Sequence, residues 1–163
     1  MSAGRPTEAW KVRHVEPRDR EDWERLFTGY CEFYEWPTSA EHQEQIWSWI
    51  FDLERIEALV AVPADESGPA VGLAHLRSWV RPLRGSVSGY LDDLFVAPEV
   101  RSTGVVDALF EAIDALAVER GWDVVRWTTA EDNHRAQAAY ERVATRTTWV
   151  TYDMTPGSAE PKR

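Results

Sequence analysis

A chain of 163 residues can bury one substantial core and is too short for two ordinary domains. Its formal charge of −10 leaves it without the concentrated positive charge that nucleic acid or an anionic membrane demands, and its 44% apolar content and nine tryptophans exclude a disordered chain. The lone Cys31 permits no internal disulfide, no run reaches the ~18 apolar residues of a membrane span, and the first nine residues lack a signal-peptide core, so the expected location is cytoplasmic.

The reading in chain order gives one domain over residues 10–154, with residues 1–9 and 155–163 as flexible tails. A strand is predicted at 10–15 and helices at 18–34 and 40–52, separated by Trp36-Pro37-Thr38-Ser39. Pro37 ends the first helix and Ser39 is placed to cap the second. Strands follow at 56–62, 70–79 and 86–96, with turns at 65–69 and 81–85, which makes an antiparallel meander. Val105, Leu109, Ile113 and Leu116 then recur at helical spacing up to Gly121. A strand at 123–129, a helix at about 133–143 and a final strand at 145–154 complete the order β-α-α-β-β-β-α-β-α-β. That is a mixed α/β fold, a mostly antiparallel sheet with helices on both faces.

Three groups of residues carry chemistry. The stretch Arg101-Ser102-Thr103-Gly104-Val105-Val106 runs from a strand end into a helix N-terminus, where backbone N–H groups can receive a phosphate. Asn133 and Tyr140 lie seven residues apart, on nearly one helix face about 10 Å apart along the axis. Asp92 and Asp93 sit within a strand, where carboxylates are depleted and costly to bury unpaired; a period of two sends them to opposite faces, Asp93 with Gly89, Leu91 and Phe95. Asp93 is equally well read as half of a strand-end ion pair with Arg77 or Arg81. The four histidines, His14, His42, His75 and His134, fit no metal-ligand spacing and read as surface or packed residues, so no metal is expected. No base stands near Cys31 in sequence to make it a nucleophile.

On the loop motif, the preceding Val96-Ala97-Pro98-Glu99, the Asn133 helix and Tyr140, the chain resembles the GCN5-related N-acetyltransferases. The strand Tyr90-Leu91-Asp92-Asp93-Leu94-Phe95-Val96 resembles their diamine (spermidine/spermine) acetyltransferase branch. The resemblance implies acetyl-CoA as co-substrate. Leu94, Phe95 and Val96 would hold the pantetheine arm, a backbone N–H near Phe95 or Val96 would polarise the thioester carbonyl, and Arg101, Ser102, Thr103, Gly104, Val105 and Val106 would bind the pyrophosphate. Asn133 and Ala136 would meet the pantetheine, and Tyr140 would protonate the leaving thiolate. The pattern's frequent Gly after Arg is Ser102 here, and its closing Gly or Ala is Val106, a stiffer, bulkier neighbour for a phosphate.

The resemblance further implies Asp92 as the base or water-relay residue, with Asp93 supporting it. Tyr30, Tyr34 and Trp36 fall where the acceptor side of the family's cleft forms, and aromatic faces with carboxylates suit an ammonium group. The acceptor expected is a small polyamine or similar primary amine. A protein N-terminus or lysine is the enzymatic alternative, and a non-catalytic acyl-CoA-binding module is the alternative from another class. Dimers occur in the family, so a homodimer is an allowed assembly.

Overall fold

The computed structural model describes residues 6–52 and 55–157. They form two compact units, one ending at Thr128 and the other beginning at Thr129. Residues 1–5 and 158–163, most of the expected tails, lie outside the described residues. Pro6–Ala9 form a 3-10 turn that leads into the sheet.

The first unit is a five-stranded sheet in the order β1-β2-β3-β4-β5. Its strands are β1 (Trp10–His14), β2 (Glu57–Pro63), β3 (Gly72–Arg81), β4 (Ser86–Val96) and β5 (Val125–Arg126). All neighbours are antiparallel except β4 and β5. Two helices, α1 (Arg20–Phe33) and α2 (Ala40–Ile50), follow β1, and α3 (Val105–Arg120) follows β4. None of the described helices is long and apolar enough to cross a membrane.

The helix stripes explain the layers. Trp23, Leu26, Phe27 and Cys31 of α1 and Ile46 and Ile50 of α2 are buried at helical spacing, and they share one core with Ala58, Val60 and Val62 of β2, Leu73 of β3 and Phe95 of β4. Ser39 caps α2 by accepting a hydrogen bond from the His42 N–H. On the other face, a side chain at Gly72 would press on Val105 and Leu109 of α3, so β3 and α3 approach closely there. Gly121 ends α3 in the left-handed conformation, φ 66°. Two bidentate ion pairs clip helices to strands: Arg13 of β1 with Asp19 ahead of α1, at 2.6 and 2.8 Å, and Arg120 of α3 with the buried Glu57 of β2, at 3.0 and 2.8 Å.

Gly89 of β4 lies under the Trp122 ring, where an added Cβ would collide with Cε3. Gly89→Ala is therefore expected to destabilise the protein by about 1–3 kcal/mol in thermal or urea unfolding. An unchanged midpoint would mean that Trp122 swings aside freely.

The second unit holds α4 (His134–Tyr140). It is shorter than the expected 133–143 because the chain tightens past Tyr140, whose carbonyl accepts from the N–H groups of both Val143 and Ala144. The expected final strand, 145–154, does not form. Its residues have no regular structure, and Trp149, Val150, Tyr152 and Met154 are exposed. Strand propensity reflects fit to a pleated, half-buried surface, and none of the described strands supplies this segment with a ladder. For the same reason β5 covers two residues of the expected 123–129: only Gly89 and Tyr90 pair with it.

β4 itself departs from the strict alternation expected of it. From the hairpin turn back, β3 and β4 pair in unbroken register as far as Leu76 opposite Leu91, after which His75 lies opposite Asp93. Asp92 is the extra residue of a β-bulge. Before it, Gly89 packs on Trp122; after it, Phe95 joins the α1/α2 core. The bulge thus breaks the strict alternation that would have grouped Gly89 and Leu91 with Asp93 and Phe95.

Candidate functional site

The bulge decides where the two carboxylates go. Asp92 accepts two hydrogen bonds from Arg77 Nε, at 2.9 and 3.2 Å, and Asp93 is 2.8 Å from His75 Nδ1. Arg77 and His75 are two residues apart on β3 and so share a face, which brings both acids to the α1/α2 side. The ion pair with Arg77 belongs to Asp92, while Arg81 pairs with Asp123.

Asp93 borders a cavity of about 490 Å³ also lined by Phe27, Tyr30, Cys31 and Tyr34 of α1 and its C-cap, Trp36 of the following turn, and His42 and Ile46 of α2. Tyr30, Tyr34 and Trp36 therefore meet Asp93 at one place, whereas Asp92 stands outside the lining. Tyr30 packs edge-on against both Tyr34 and Phe95. Trp36 is 66% exposed, so the cavity opens to solvent beside an apolar ring.

Behind Asp93 runs a buried hydrogen-bond chain. The Trp23 indole N–H, a donor only, donates a hydrogen bond to His75 Nε2 at 2.9 Å. His75 Nε2 is then an acceptor, and Nδ1 donates to Asp93. The Tyr30 hydroxyl also donates to Asp93. Burial pushes the Asp93 carboxyl up, but the hydrogen bond and electrostatic attraction of His75, with the hydrogen bond from Tyr30, outweigh it and hold the group below the usual carboxylate range. Burial dominates at Asp92: it and the neighbouring Asp93 charge push the carboxyl up against the pull of Arg77. The two acids thus differ in character, one a fixed anion and one a better proton acceptor. Burial, together with the Asp93 charge, pushes the Cys31 thiol up, which disfavours a thiolate nucleophile.

His75 and Trp23 are the site residues that sequence reasoning missed. Their one signal lies in the hairpin: a meander turning at 81–85 sets His75 across from the acid pair.

At the other end of β4 the chain passes through a 3-10 turn, Pro98–Val100, into the loop before α3. Ser102 has φ 68° and Gly104 φ 93°, so the position where Ser replaces the usual glycine carries left-handed backbone strain. Arg101 turns back, its Nε donating to the Val96 carbonyl at 3.3 Å and its guanidinium lying 5.9 Å from the Phe95 ring. Gly104 is the N-cap of the 16-residue α3 and has no side chain to cap it, and the positive end of the helix dipole lies there. Val105 is buried and anchors the helix, whereas Val106 is half-buried. This end of the sheet suits a phosphate-bearing ligand.

In the second unit, Asn133 caps α4 by accepting from the Ala136 N–H at 3.2 Å, and Tyr140 is the last helical residue. The Asn133 carbonyl oxygen atom of the side chain is thereby committed to its own helix. Gln137 donates to the carbonyls of Ala130 and Glu131 and holds the turn that precedes α4.

The family described as Acetyltransferase (GNAT) matches residues 21–144. The D-amino-acid N-acetyltransferase HPA3 of Saccharomyces cerevisiae (strain ATCC 204508 / S288c) is 32% identical over 142 residues, 86% of this chain and 88% of that protein. The aminoglycoside N(6')-acetyltransferase type 1 of Stenotrophomonas maltophilia is 27% identical over 143 residues, 86% of each chain. Among solved structures, the aminoglycoside N-acetyltransferase AAC(6')-Iy in complex with CoA superposes with a TM-score of 0.77 at 18% identity, over 90% of this chain and 95% of that one. The ribosomal-protein-alanine N-acetyltransferase from Brucella melitensis biovar Abortus 2308 gives 0.76 at 22%, over 90% and 99%. The chain belongs to the GNAT acetyltransferase family, and it is an N-acetyltransferase that takes its acetyl group from acetyl-CoA.

Proposed function

We propose that the acceptor is a small primary amine carried as a cation, such as a polyamine, and that it enters the cavity beside Asp93. The carrying observation is the lining: one carboxylate held ionised, four aromatic side chains and, among the described residues, no lysine or arginine. An ammonium ion gains both a counter-charge and aromatic faces there.

The roles follow from the difference between the two acids. Asp93 anchors the ammonium. An alkyl ammonium has a pKa near ~10 and must shed a proton before it can attack, and Asp92, with its raised pKa, accepts that proton through water. Acetyl-CoA supplies a thioester carbonyl as the electrophile. Leu94, Phe95 and Val96 hold its pantetheine arm, with a backbone N–H near Phe95 or Val96 facing the carbonyl oxygen. The backbone of Arg101, Ser102, Thr103, Gly104, Val105 and Val106 receives the pyrophosphate. Asn133 and Ala136 contact the pantetheine and Tyr140 protonates the thiolate, and these three roles rest on the resemblance. The protein works in the cytoplasm as one acetyltransferase domain spanning residues 10–154.

A second reading has one observation behind it. His42 also lines the cavity, and its ring N–H can donate a hydrogen bond to a carboxylate, so an amino acid would fit. HPA3, named for D-amino acids, points the same way. Thiol release from acetyl-CoA across a panel of diamines, spermidine, D- and L-amino acids, an aminoglycoside and a lysine peptide separates these. Release with di- and polyamines at the highest kcat/KM supports the proposal; preference for amino acids or the peptide overturns it.

A further inference from the structure

We propose that Trp10 is a positioning residue for the donor's pyrophosphate, an inference that rests on the pyrophosphate binding at the loop before α3. Trp10 opens β1 at the edge of the sheet, 93 residues from the loop, yet its indole Nε1–H donates to the Thr103 carbonyl at 2.9 Å. That carbonyl belongs to the peptide joining Thr103 to Gly104. The peptide is trans, so its C=O and N–H point in opposite directions. A carbonyl fixed toward Trp10 turns the Gly104 N–H away from β1, at the head of α3.

The bond is needed because the loop has little else to hold that peptide. Gly104 adopts a left-handed conformation and has no side chain, so the Thr103–Gly104 plane has on one side a residue that rotates at low cost. The Thr103 hydroxyl binds the Val100 carbonyl at 2.6 Å, which pins the residue but not the plane of its following peptide. Successive N–H groups bind an anion only while they converge, and a flipped peptide would present the carbonyl oxygen to the phosphate instead.

The test compares two acetyl donors that share the thioester arm, acetyl-CoA and S-acetylpantetheine, which lacks the pyrophosphate. Trp10→Phe should raise the KM for acetyl-CoA by about 2- to 10-fold, the range of one neutral hydrogen bond, at unchanged kcat. It should leave kcat/KM for S-acetylpantetheine untouched. Benzothienylalanine placed at position 10 by nonsense suppression replaces the N–H with sulfur at constant shape and should reproduce the effect even if the Phe variant folds poorly. Equal losses on both donors, or no loss with the isosteric variant, would overturn the role of Trp10. If the unmodified protein uses both donors with equal KM, the loop is not the pyrophosphate site and the underlying reading fails instead.

Discussion

Replacing Asp93 by asparagine should lower kcat/KM for a primary amine by about 10- to 100-fold while leaving the KM for acetyl-CoA unchanged. The size follows from losing one charge-assisted contact, worth roughly 1.5–3 kcal/mol. Asparagine keeps the shape, and its side-chain oxygen can still accept from His75 Nδ1, so the Trp23–His75 chain survives. Steady-state kinetics with both substrates varied is the measurement; a parallel rise in the acetyl-CoA KM, or no change for the amine, would remove Asp93 from the acceptor site. The stability sign is also fixed. Because the folded Asp93 carboxyl is held below its unfolded value, it stabilises the protein above about pH 4, and this contribution fades as pH falls through the folded value. The melting-temperature gap between the native and variant proteins should therefore be present at neutral pH and close in acid.

This prediction attaches to Asp93 and not to Asp92 because of a feature that the sequence pattern could not show. The 3.6- and 2-residue periods marked the helices at 20–33, 40–50 and 105–120 and the three strands of the meander to within a few residues, since each buries a continuous stripe or face. A bulge leaves no such trace. It adds one residue to β4, and an unbroken register would have set His75 opposite Asp92. His75 itself reads as any packed histidine until it is seen between an indole N–H and a carboxylate. The segment 145–154 fails in the opposite way: its threonines, Trp149, Val150 and Tyr152 have strand propensity, but propensity without a neighbouring ladder makes no strand. The aromatic corner was legible as a cluster, because Pro37 and the Ser39 cap force a turn there, but the cavity it borders needed Asp93 aimed correctly.

Tyr140→Phe should lower kcat by about 100-fold at pH 7 with the KM for acetyl-CoA unchanged, the lower end of what a general acid contributes. The lower end is expected because the transfer is not strongly driven: a tyrosine near ~10 gives its proton to a thiolate whose conjugate acid is near ~8.5, so the hydroxyl acts mainly while the carbon–sulfur bond is breaking. Phenylalanine keeps the ring at the end of α4, so the change is confined to one hydroxyl. The pH dependence then has a definite direction. Above about pH 8.5 the released thiol is stable as an anion and needs no proton, so the deficit of the variant should narrow as pH rises. The kcat profiles of both proteins between pH 6.5 and about 9.5 measure this. A deficit that stays constant across that range would assign Tyr140 to holding the pantetheine, and an equal rise in the KM for acetyl-CoA would do the same.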